Sequence, residues 1–433
     1  MRYTTLQDWL DWQQTLHPKA IDMSLERIAL VAERLGLRPA RQAGDCPKVI
    51  TVAGTNGKGS CVKTLESLLL AQGESVGAFT SPHVLRYNER IRLNGMDAGD
   101  EQILEAFHAI DQARESISLT YFEFATLAAA WLFKNQQLSY WLLEVGLGGR
   151  LDSVNIWDAD VAIITSIGID HIKWLGDNRE DIGREKAGIL RANRWAVCAD
   201  KNPPATIAAV AEQTGAYLLQ AGVDFDWQIT QDAELPMVWT CKALGKEPAV
   251  NLTLPEPNLP LPSVAGALTA LKLLDRLPEP GECQEQLSEC YLAGRFQRAI
   301  FQDRLLVVDV AHNPDAVALL ADKVAGLNIA GKIVAVFAAM ADKDVDNMIE
   351  PLLGKIERWY LPALAGNDRA MQPDHLDKAL KAFNQSTVLC ENMTQALVQA
   401  SQIDDDGLIL VFGSFYTVEA CLRCEGVKVS SSA

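Results

Sequence analysis

The stretch VITVAGTNGKGS at residues 49–60 runs from an apolar, β-branched segment into a glycine-rich turn that carries one lysine, Lys58. The segment Cys61–Gln72 that follows has helical spacing. A strand, a glycine loop and a helix in this order present backbone N–H groups and a helix N-terminus to phosphates. The strict Walker A spacing is not met, because Val52 replaces its first glycine and a further glycine separates the lysine from Ser60. The stretch therefore predicts a nucleotide-binding loop, with an ordinary glycine turn as the alternative.

Length and composition limit the class of protein. A chain of 433 residues exceeds what one hydrophobic core usually serves, so we expect two domains. The net charge of -17 argues against broad binding of nucleic acid or of an anionic membrane. The nine cysteines are scattered and predict neither a zinc site nor a disulfide framework. The first twenty residues hold no apolar signal core, and we expect a soluble, cytoplasmic protein without a membrane span.

Alternating apolar strands and helices predict an α/β fold. Further runs typical of buried strands occur at Val76–Phe79, Tyr140–Val145, Val161–Ile167, Leu305–Val310, Ile333–Ala338, Arg358–Leu361, Thr387–Leu389 and Leu408–Phe412. We predict a P-loop domain with a mostly parallel, doubly wound sheet at residues 1–293, and a smaller Rossmann-like α/β domain at residues 294–433. Asp177 and Glu180 predict a capping box at the start of a helix in the first domain.

Polar side chains follow several of the predicted strands, where open α/β sheets place their ligands. Ser81, Glu144 and His171 lie at such strand ends and form a plausible Mg²⁺ set. A buried Glu144 paired with a neighbouring cation is the alternative. Lys186 stands among charged residues of a helix, so that a solvated helix face is the simpler interpretation of this lysine.

The second domain repeats this arrangement. Asp309 and His312 lie at a strand end, and Arg295 stands at the domain boundary. A ligand-binding edge and a turn stabilised by the side chains of Asp309 and Asn313 are both compatible with this pattern.

Seven short motifs together resemble the folylpolyglutamate synthase family of the Mur ligase superfamily. They are GTNGKGS (54–60), TSPH (80–83), EVGLGGRLD (144–152), DH (170–171), REKAG (184–188), GRF (294–296) and DVAHNP (309–314). They span nearly the whole chain in the order of the family. The glycine loop is shared with other Mur ligases, whereas the EVGLGGRLD run is specific to this family.

Two further segments resemble the substrate-binding segments of the bifunctional members of the family, which also act on dihydropteroate. The similarity rests on IDMSLER (21–27) and LTYFE (119–123). It implies that the pterin substrate is bound by Asp22, Met23, Ser24, Leu25, Thr120, Tyr121, Phe122, Glu123, Leu151, Asp152 and Ser153. The chain departs from the most common family sequence at Met23-Ser24. Ser263 stands where the family usually has an asparagine near adenine.

The resemblance also implies a reaction. ATP phosphorylates a carboxylate of dihydropteroate or of a folate, and the amine of L-glutamate attacks the acyl phosphate. It implies ATP binding by Gly54, Thr55, Asn56, Gly57, Lys58, Gly59, Ser60, Arg295, Asp309 and His312. Mg²⁺, with two ions plausible, would be held by Ser81, Glu144, His171 and Lys186, the lysine being carbamylated in the family. Lys58, His171 and Lys186 are the implied catalytic residues. The resemblance favours a monomer and leaves open a need for a monovalent cation such as K⁺.

Two other functions remain possible on the sequence alone. A Mur-type ligase of peptidoglycan precursors would share the glycine loop, but its extra N-terminal domain has no room before Gly54. A P-loop ATPase switch would hydrolyse ATP without a carboxylate substrate and would leave Arg295, Asp309 and His312 without a role. Phosphate release that depends on the substrate separates the ligase from the switch.

Overall fold

The computed structural model describes residues 2–37, 47–232, 234–243, 248–402, 404 and 406–429. The chain forms two compact units. Unit 1 comprises Met1–His83 and Tyr87–Cys290, and unit 2 comprises Val84–Arg86 and Tyr291–Ala433. The chain thus passes into unit 2 shortly before Gly294, the residue at which the sequence pattern restarts.

The helices and strands, numbered in chain order, are as follows. The helices are α1 (Leu6–Leu16), α2 (Glu26–Arg34), α3 (Lys58–Ala71), α4 (Asp100–Arg114), α5 (Tyr121–Asn135), α6 (Ile172–Leu175), α7 (Arg179–Ala187), α8 (Ala205–Thr214), α9 (Leu261–Leu273), α10 (Pro280–Ser288), α11 (Pro314–Gly326), α12 (Val345–Ile349), α13 (Pro373–Ala382), α14 (Met393–Ala400) and α15 (Phe415–Leu422). The strands are β1 (Lys48–Ala53), β2 (Val76–Phe79), β3 (Ile91–Leu93), β4 (Met96–Asp97), β5 (Tyr140–Glu144), β6 (Val161–Ile164), β7 (Trp195–Cys198), β8 (Tyr217–Gln220), β9 (Phe225–Ile229), β10 (Met237–Cys241), β11 (Val250–Leu254), β12 (Gln297–Phe301), β13 (Arg304–Asp309), β14 (Ile333–Phe337), β15 (Arg358–Pro362), β16 (Thr387–Cys390), β17 (Leu408–Phe412) and β18 (Lys428–Val429).

Unit 1 is built on an eight-stranded sheet in the order β4-β3-β2-β5-β1-β6-β7-β8. Strand β1 lies between β5 and β6 and is parallel to both. Near one edge, β3 pairs antiparallel with both β2 and β4. The predicted mostly parallel sheet is therefore confirmed. Because helices cover both faces of such a sheet, its central strands are continuously apolar, and β1 is buried from Val49 onward.

Helix α3 begins at Lys58, inside the glycine loop, whereas the helical pattern was expected from Cys61. Gly57 supplies the N-cap in the left-handed conformation at φ 82°, a backbone state that glycine adopts without steric cost. The early start places the helix N-terminus directly at the loop, where its N–H groups can meet phosphate oxygens.

The predicted capping box at Asp177 and Glu180 is wrong. Helix α7 starts one residue later, and its N-cap is Asn178, whose side chain accepts a hydrogen bond from the N–H of Asp181 at 3.0 Å. Glu180 instead accepts from the N–H of Thr206 at 3.0 Å, at the start of α8. Asparagine is an equally good N-cap, so the one-residue shift costs the helix nothing.

A second, antiparallel sheet in unit 1, in the order β11-β10-β9, was not predicted. Its strands alternate buried and exposed positions, as in a sheet with one solvated face. Within the described residues, no helix combines the length and the apolar character that a membrane span requires.

Unit 2 contains a seven-stranded sheet in the order β16-β15-β14-β17-β13-β12-β18. The five strands predicted for this region, β13 to β17, pair in parallel. Strands β12 and β18 add an antiparallel edge that the apolar pattern did not predict. The smaller α/β domain is therefore confirmed as a fold.

Candidate active site

The glycine loop between β1 and α3 is held by hydroxyl groups from the end of β6. Ser166 Oγ accepts a hydrogen bond from the N–H of Asn56 at 3.0 Å, and Thr165 Oγ1 donates to the carbonyl of Asn56 at 2.6 Å. Thr55 Oγ1 accepts from the N–H of Gly168 at 2.9 Å. Sequence reasoning missed Thr165 and Ser166 because the predicted strand Val161–Ile167 contained them, whereas β6 ends at Ile164 and both residues follow it.

Three side chains prepare this loop for a ligand. Lys58 Nζ donates to the carbonyls of Gly54 at 3.0 Å and Thr55 at 3.3 Å, so the ammonium lies over the loop. Ser263 Oγ donates to the carbonyl of Gly57 at 2.8 Å, so this serine contacts the loop itself. Ser60 is fully buried, and the described residues offer its hydroxyl no hydrogen-bond partner. An unpaired buried hydroxyl at a helix N-terminus fits a phosphate oxygen or a hydrated cation.

Two predicted metal ligands are brought together next to this loop. Glu144 ends β5, the neighbour of β1, and is 4% exposed. Its Oε2 accepts a hydrogen bond from the N–H of Ser81 at 3.0 Å. A carboxylate and a hydroxyl at adjacent strand ends are hard oxygen donors, which suits Mg²⁺ or Mn²⁺. Within the described residues, no group of three His, Cys, Asp or Glu side chains that could hold a metal ion is found.

The other two predicted ligands differ in environment. His171 is partly exposed, and its Nε2 lies 4.0 Å from Asp170 Oδ2. Lys186 is 3% exposed. Burial and the charge of Lys58 lower the pKa of Lys186 to about 7, against the opposing influence of Asp170 and Asp152. Lys186 is thus not on a solvated helix face, and a share of its amine is neutral near pH 7, the form that reacts as a nucleophile.

Glycines fix the backbone around Lys186. A Cβ on Gly149 would lie 2.7 Å from the carbonyl oxygen of Glu185, and a Cβ on Gly188 would lie 2.3 Å from Arg150 Cβ. The N–H of Arg150 donates to Glu185 O at 2.8 Å. The Gly-Gly-Arg run therefore lies directly against the last turn of α7, which carries the lysine.

The two predicted pterin-binding segments are joined by Arg27, which sequence reasoning did not single out. Its guanidinium contacts Asp22 Oδ1 at 3.2 Å, Ser24 Oγ at 2.9 Å and Glu123 Oε1 at 3.1 Å. Glu123 is 1% exposed, and its Oε2 accepts from the N–H of Thr120 at 2.7 Å. Both oxygens of Glu123 thus serve the protein, and its effect on a substrate would be indirect.

Apolar side chains surround the same region. A Cβ on Gly146 would lie 2.5 Å from the ring of Phe122, and a Cβ on Gly148 would lie 3.0 Å from Leu175 and 3.7 Å from Met23. Thus Phe122 and Met23, both predicted to bind substrate, flank the glycine run that follows β5.

In unit 2, the three predicted residues gather at the carboxyl end of β13. Asp309 accepts hydrogen bonds from the N–H of Phe296 at 2.7 Å and of Ala311 at 2.8 Å. Burial raises the pKa of the Asp309 carboxyl, partly offset by the charge of Arg295. The guanidinium of Arg295 lies 5.0 Å from the ring centre of Phe415, and the His312 ring lies 6.2 Å from it. Asp309 therefore does stabilise a turn, and the backbone groups that it bonds belong to the residues next to Arg295 and His312 in the chain.

Comparisons with known proteins agree with this geometry. The chain matches the Mur ligase middle domain family over residues 52–232 and the Mur ligase glutamate ligase domain family over residues 294–415. It is 41% identical over 414 residues to the dihydrofolate synthase/folylpolyglutamate synthase of Escherichia coli K12, covering 95% of this chain and 94% of that protein. The chain belongs to the dihydrofolate synthase/folylpolyglutamate synthase family.

Solved structures from the dihydrofolate synthase/folylpolyglutamate synthase family share the fold of this chain. The E. coli FolC structure in complex with DHPP and ADP superposes with a TM-score of 0.88 at 38% identity, covering 97% of each chain. A bifunctional folylpolyglutamate synthase/dihydrofolate synthase with Mn, AMPPNP and L-glutamate bound gives 0.85 at 40% identity, covering 96% of this chain and 97% of that one. The predicted family and its ligase class are confirmed, and neither the peptidoglycan-precursor ligase nor the ATPase switch is favoured.

Asp152, in the run specific to this family, gives a pH-dependent prediction. Its Oδ2 accepts from the N–H of Leu147 at 2.8 Å and its Oδ1 from the N–H of Val154 at 3.0 Å. Burial raises the pKa of this carboxyl from 3.8 to about 6, and these hydrogen bonds oppose the rise. Between the two values the unfolded chain loses the proton and the folded chain keeps it, so stability falls as pH rises through this window, by up to about 3 kcal/mol.

Asp152→Asn removes this titration. We expect the stability of the variant, relative to the parent, to increase as the pH is raised from 4.5 to 7, measured as the difference between their unfolding midpoints. A difference that stays constant over this range would contradict the raised pKa. Asp226→Asn is the control at a carboxylate of the same unit: against the effect of its burial, hydrogen bonds from Lys201 and from the N–H of Trp227 lower the pKa of Asp226, so this variant should not show the increase.

Proposed function

We propose that this protein is an ATP-dependent ligase that joins L-glutamate to dihydropteroate and to the γ-carboxyl group of reduced folates. The observation that carries the proposal is the 41% identity to a bifunctional enzyme over 95% of this chain. The same match covers 94% of the related protein, so it extends over both units and not over one domain alone. We further propose that the protein is a cytoplasmic monomer and that its partners are ATP, folates, dihydropteroate and L-glutamate.

The proposed ATP site is the loop Gly54–Ser60, with Lys58 on the transferred phosphoryl group. The start of α3 at Lys58, inside the loop, and the unpaired hydroxyl of Ser60 support this assignment. Arg295, Asp309 and His312 are the proposed contacts of unit 2 with ATP.

The proposed divalent-metal site uses Ser81, Glu144, His171 and Lys186, and we infer Mg²⁺ as the physiological ion, with two ions plausible. The hydrogen bond between Ser81 and Glu144 and the burial of the carboxylate support the fit. When bound, the cation neutralises charge on the phosphates. Carbamylation would turn the buried amine of Lys186 into an oxygen ligand, and its low exposure protects such a carbamate from water.

The proposed reaction has two steps. A substrate carboxylate oxygen attacks the γ-phosphorus and the bond to ADP breaks, giving an acyl phosphate. The amine of L-glutamate then attacks the acyl carbon, loses a proton, and phosphate leaves as the amide forms. The protein contributes mainly position and charge: Lys58 holds the phosphoryl group, and Arg27 holds the two pterin segments together.

The experiment is phosphate release from MgATP and L-glutamate with 7,8-dihydropteroate, with tetrahydrofolate, or with neither. We expect release with each pterin and a glutamyl amide in each case. Phosphate release with tetrahydrofolate alone would mean that the enzyme only extends the glutamate tails of folates. Equal release without a pterin would overturn the ligase proposal. Repeating the assay with tetramethylammonium in place of K⁺ tests the need for a monovalent cation.

A further inference from the structure

A buried ion pair in unit 1 has no part in the proposed chemistry. Glu66 lies on α3, two turns after the phosphate loop, and is completely buried. Nε of Arg92, on β3, donates to both carboxylate oxygens of Glu66, at 3.0 and 2.9 Å. Moving two charges from water into the protein interior costs free energy, so a buried ion pair often adds no net stability to the fold. We therefore expect this pair to have a role other than stabilisation.

The second end of the Arg92 guanidinium reaches the segment that carries Ser81. Nη1 donates to Thr80 Oγ1 at 3.2 Å and to the carbonyl of Glu89 at 3.3 Å. Thr80 directly precedes Ser81, whose N–H donates to Glu144. One guanidinium thus connects the helix of the phosphate loop to the two side chains proposed to hold the metal.

We propose that Arg92 is a positioning residue for metal binding: anchored by Glu66, it fixes Thr80 and thereby sets Ser81 against Glu144 beside the phosphate loop. The planar guanidinium suits this task because it bonds in two directions at once, which a lysine ammonium cannot do with the same rigidity. The inference rests on the proposed metal site and adds residues that do not touch the metal.

The test measures Mn²⁺ binding in the presence of ADP, from the electron paramagnetic resonance signal of free Mn²⁺. Glu66→Gln combined with Arg92→Met removes both charges of the pair, and Lys63, whose Nζ lies 3.2 Å from Glu66 Oε2, is 23% exposed and keeps access to water. We expect the Kd for Mn²⁺ to rise about tenfold or more, as for other residues that orient metal ligands. The KM for L-glutamate should stay unchanged in this variant.

Thr80→Val tests the same connection without disturbing the ion pair. It removes the hydroxyl that accepts from Arg92, and we expect a smaller increase in the Kd for Mn²⁺, about fivefold. If the double variant does not fold, the Kd of Thr80→Val for Mn²⁺ alone tests the proposed role of Arg92. Arg92→Lys, which keeps the charge, should restore part of the affinity lost in the double variant.

The matched control removes another largely buried pair of unit 1. Arg114 Nη2 lies 2.7 Å from Asp111 Oδ1, and both side chains are mostly buried. Asp111→Asn combined with Arg114→Met should leave the Kd for Mn²⁺ within about twofold of the parent, since the hydrogen bonds of this pair go to Arg2 and to the carbonyl of Ile117 and share no partner with the proposed metal site. An equal rise in this control would assign the effect to general loosening and overturn the inference.

Glu144→Gln separates this inference from the proposed metal site on which it rests. If Glu144→Gln binds Mn²⁺ like the parent, the proposed site itself is wrong. If Glu144→Gln loses binding while Thr80→Val and the folded Glu66/Arg92 double variant both retain the parent Kd, the site stands and the role of Arg92 is overturned.

Discussion

Replacing Lys186 by alanine is expected to lower the turnover number by about 10³-fold, the size of effect seen when a preorganised charged group is removed from a reacting centre. The lysine is 3% exposed, in electrostatic range of Lys58, Asp170 and Asp152. If its amine carries a carbamate, the alanine variant leaves room for a small carboxylate. Formate or acetate should then restore activity in a concentration-dependent manner.

Two variants control this experiment. Lys186→Met fills the space with an apolar chain and should be as inactive as the alanine variant, but without rescue by formate. Lys173→Ala, at an exposed lysine of α6, should keep full activity. A Lys186→Ala enzyme with nearly normal turnover, measured as glutamyl amide formed, would remove this lysine from the proposed site.

The second large effect is expected from Gly188→Ala. The added Cβ would lie 2.3 Å from Arg150 Cβ and 2.6 Å from Arg150 Cα, well inside contact distance. Relieving this overlap requires the Gly-Gly-Arg run and the end of α7 to separate. We expect a loss of about 2–3 kcal/mol in unfolding free energy, seen as a lower midpoint of urea unfolding, together with loss of activity through Lys186.

Gly281→Ala is the control for the same substitution in open space. A Cβ there meets nothing within 4 Å, and the residue lies in helix α10. Alanine should stabilise this helix by about 0.5–1 kcal/mol, because it restricts the unfolded chain and favours the helix. Equal stabilities of the Gly188 and Gly281 variants would contradict the close approach at Arg150.

Much of the fold was predictable from local sequence, because its central strands are apolar and its loops are rich in glycine. The strands Val76–Phe79 and Leu408–Phe412 have the predicted bounds. The sheet β9 to β11 was missed because its short strands alternate buried and exposed residues and stand apart from the βα pattern. Helix α7 shows why the ends of helices are hard to predict from sequence. Asp177 and Asn178 are both good N-cap residues, and only the structure shows that Asn178 is the cap.

The site was less predictable than the fold, because its contacts join residues far apart in sequence. Glu144 and Ser81 could be proposed from strand ends, and the structure places them 3.0 Å apart through a backbone donor. Arg27 lies in the IDMSLER segment, but neither it nor Arg92 could be assigned a role from its sequence neighbours. Each is an arginine among other charged residues, and its partner, Glu123 or Glu66, lies on another element.

The contact between Ser263 and Gly57 has a consequence for how this enzyme can evolve. The serine hydroxyl occupies the space that a Cβ of residue 57 would need, at 2.3 Å, while it bonds the carbonyl of the same residue across 206 positions of sequence. The two positions are therefore constrained unequally: a side chain at 57 would meet the serine and would also be strained by the left-handed φ of 82°, whereas position 263 only has to supply a donor for the carbonyl of Gly57. Position 57 should accordingly remain glycine in related enzymes, while position 263 should vary among side chains that can donate a hydrogen bond to the loop.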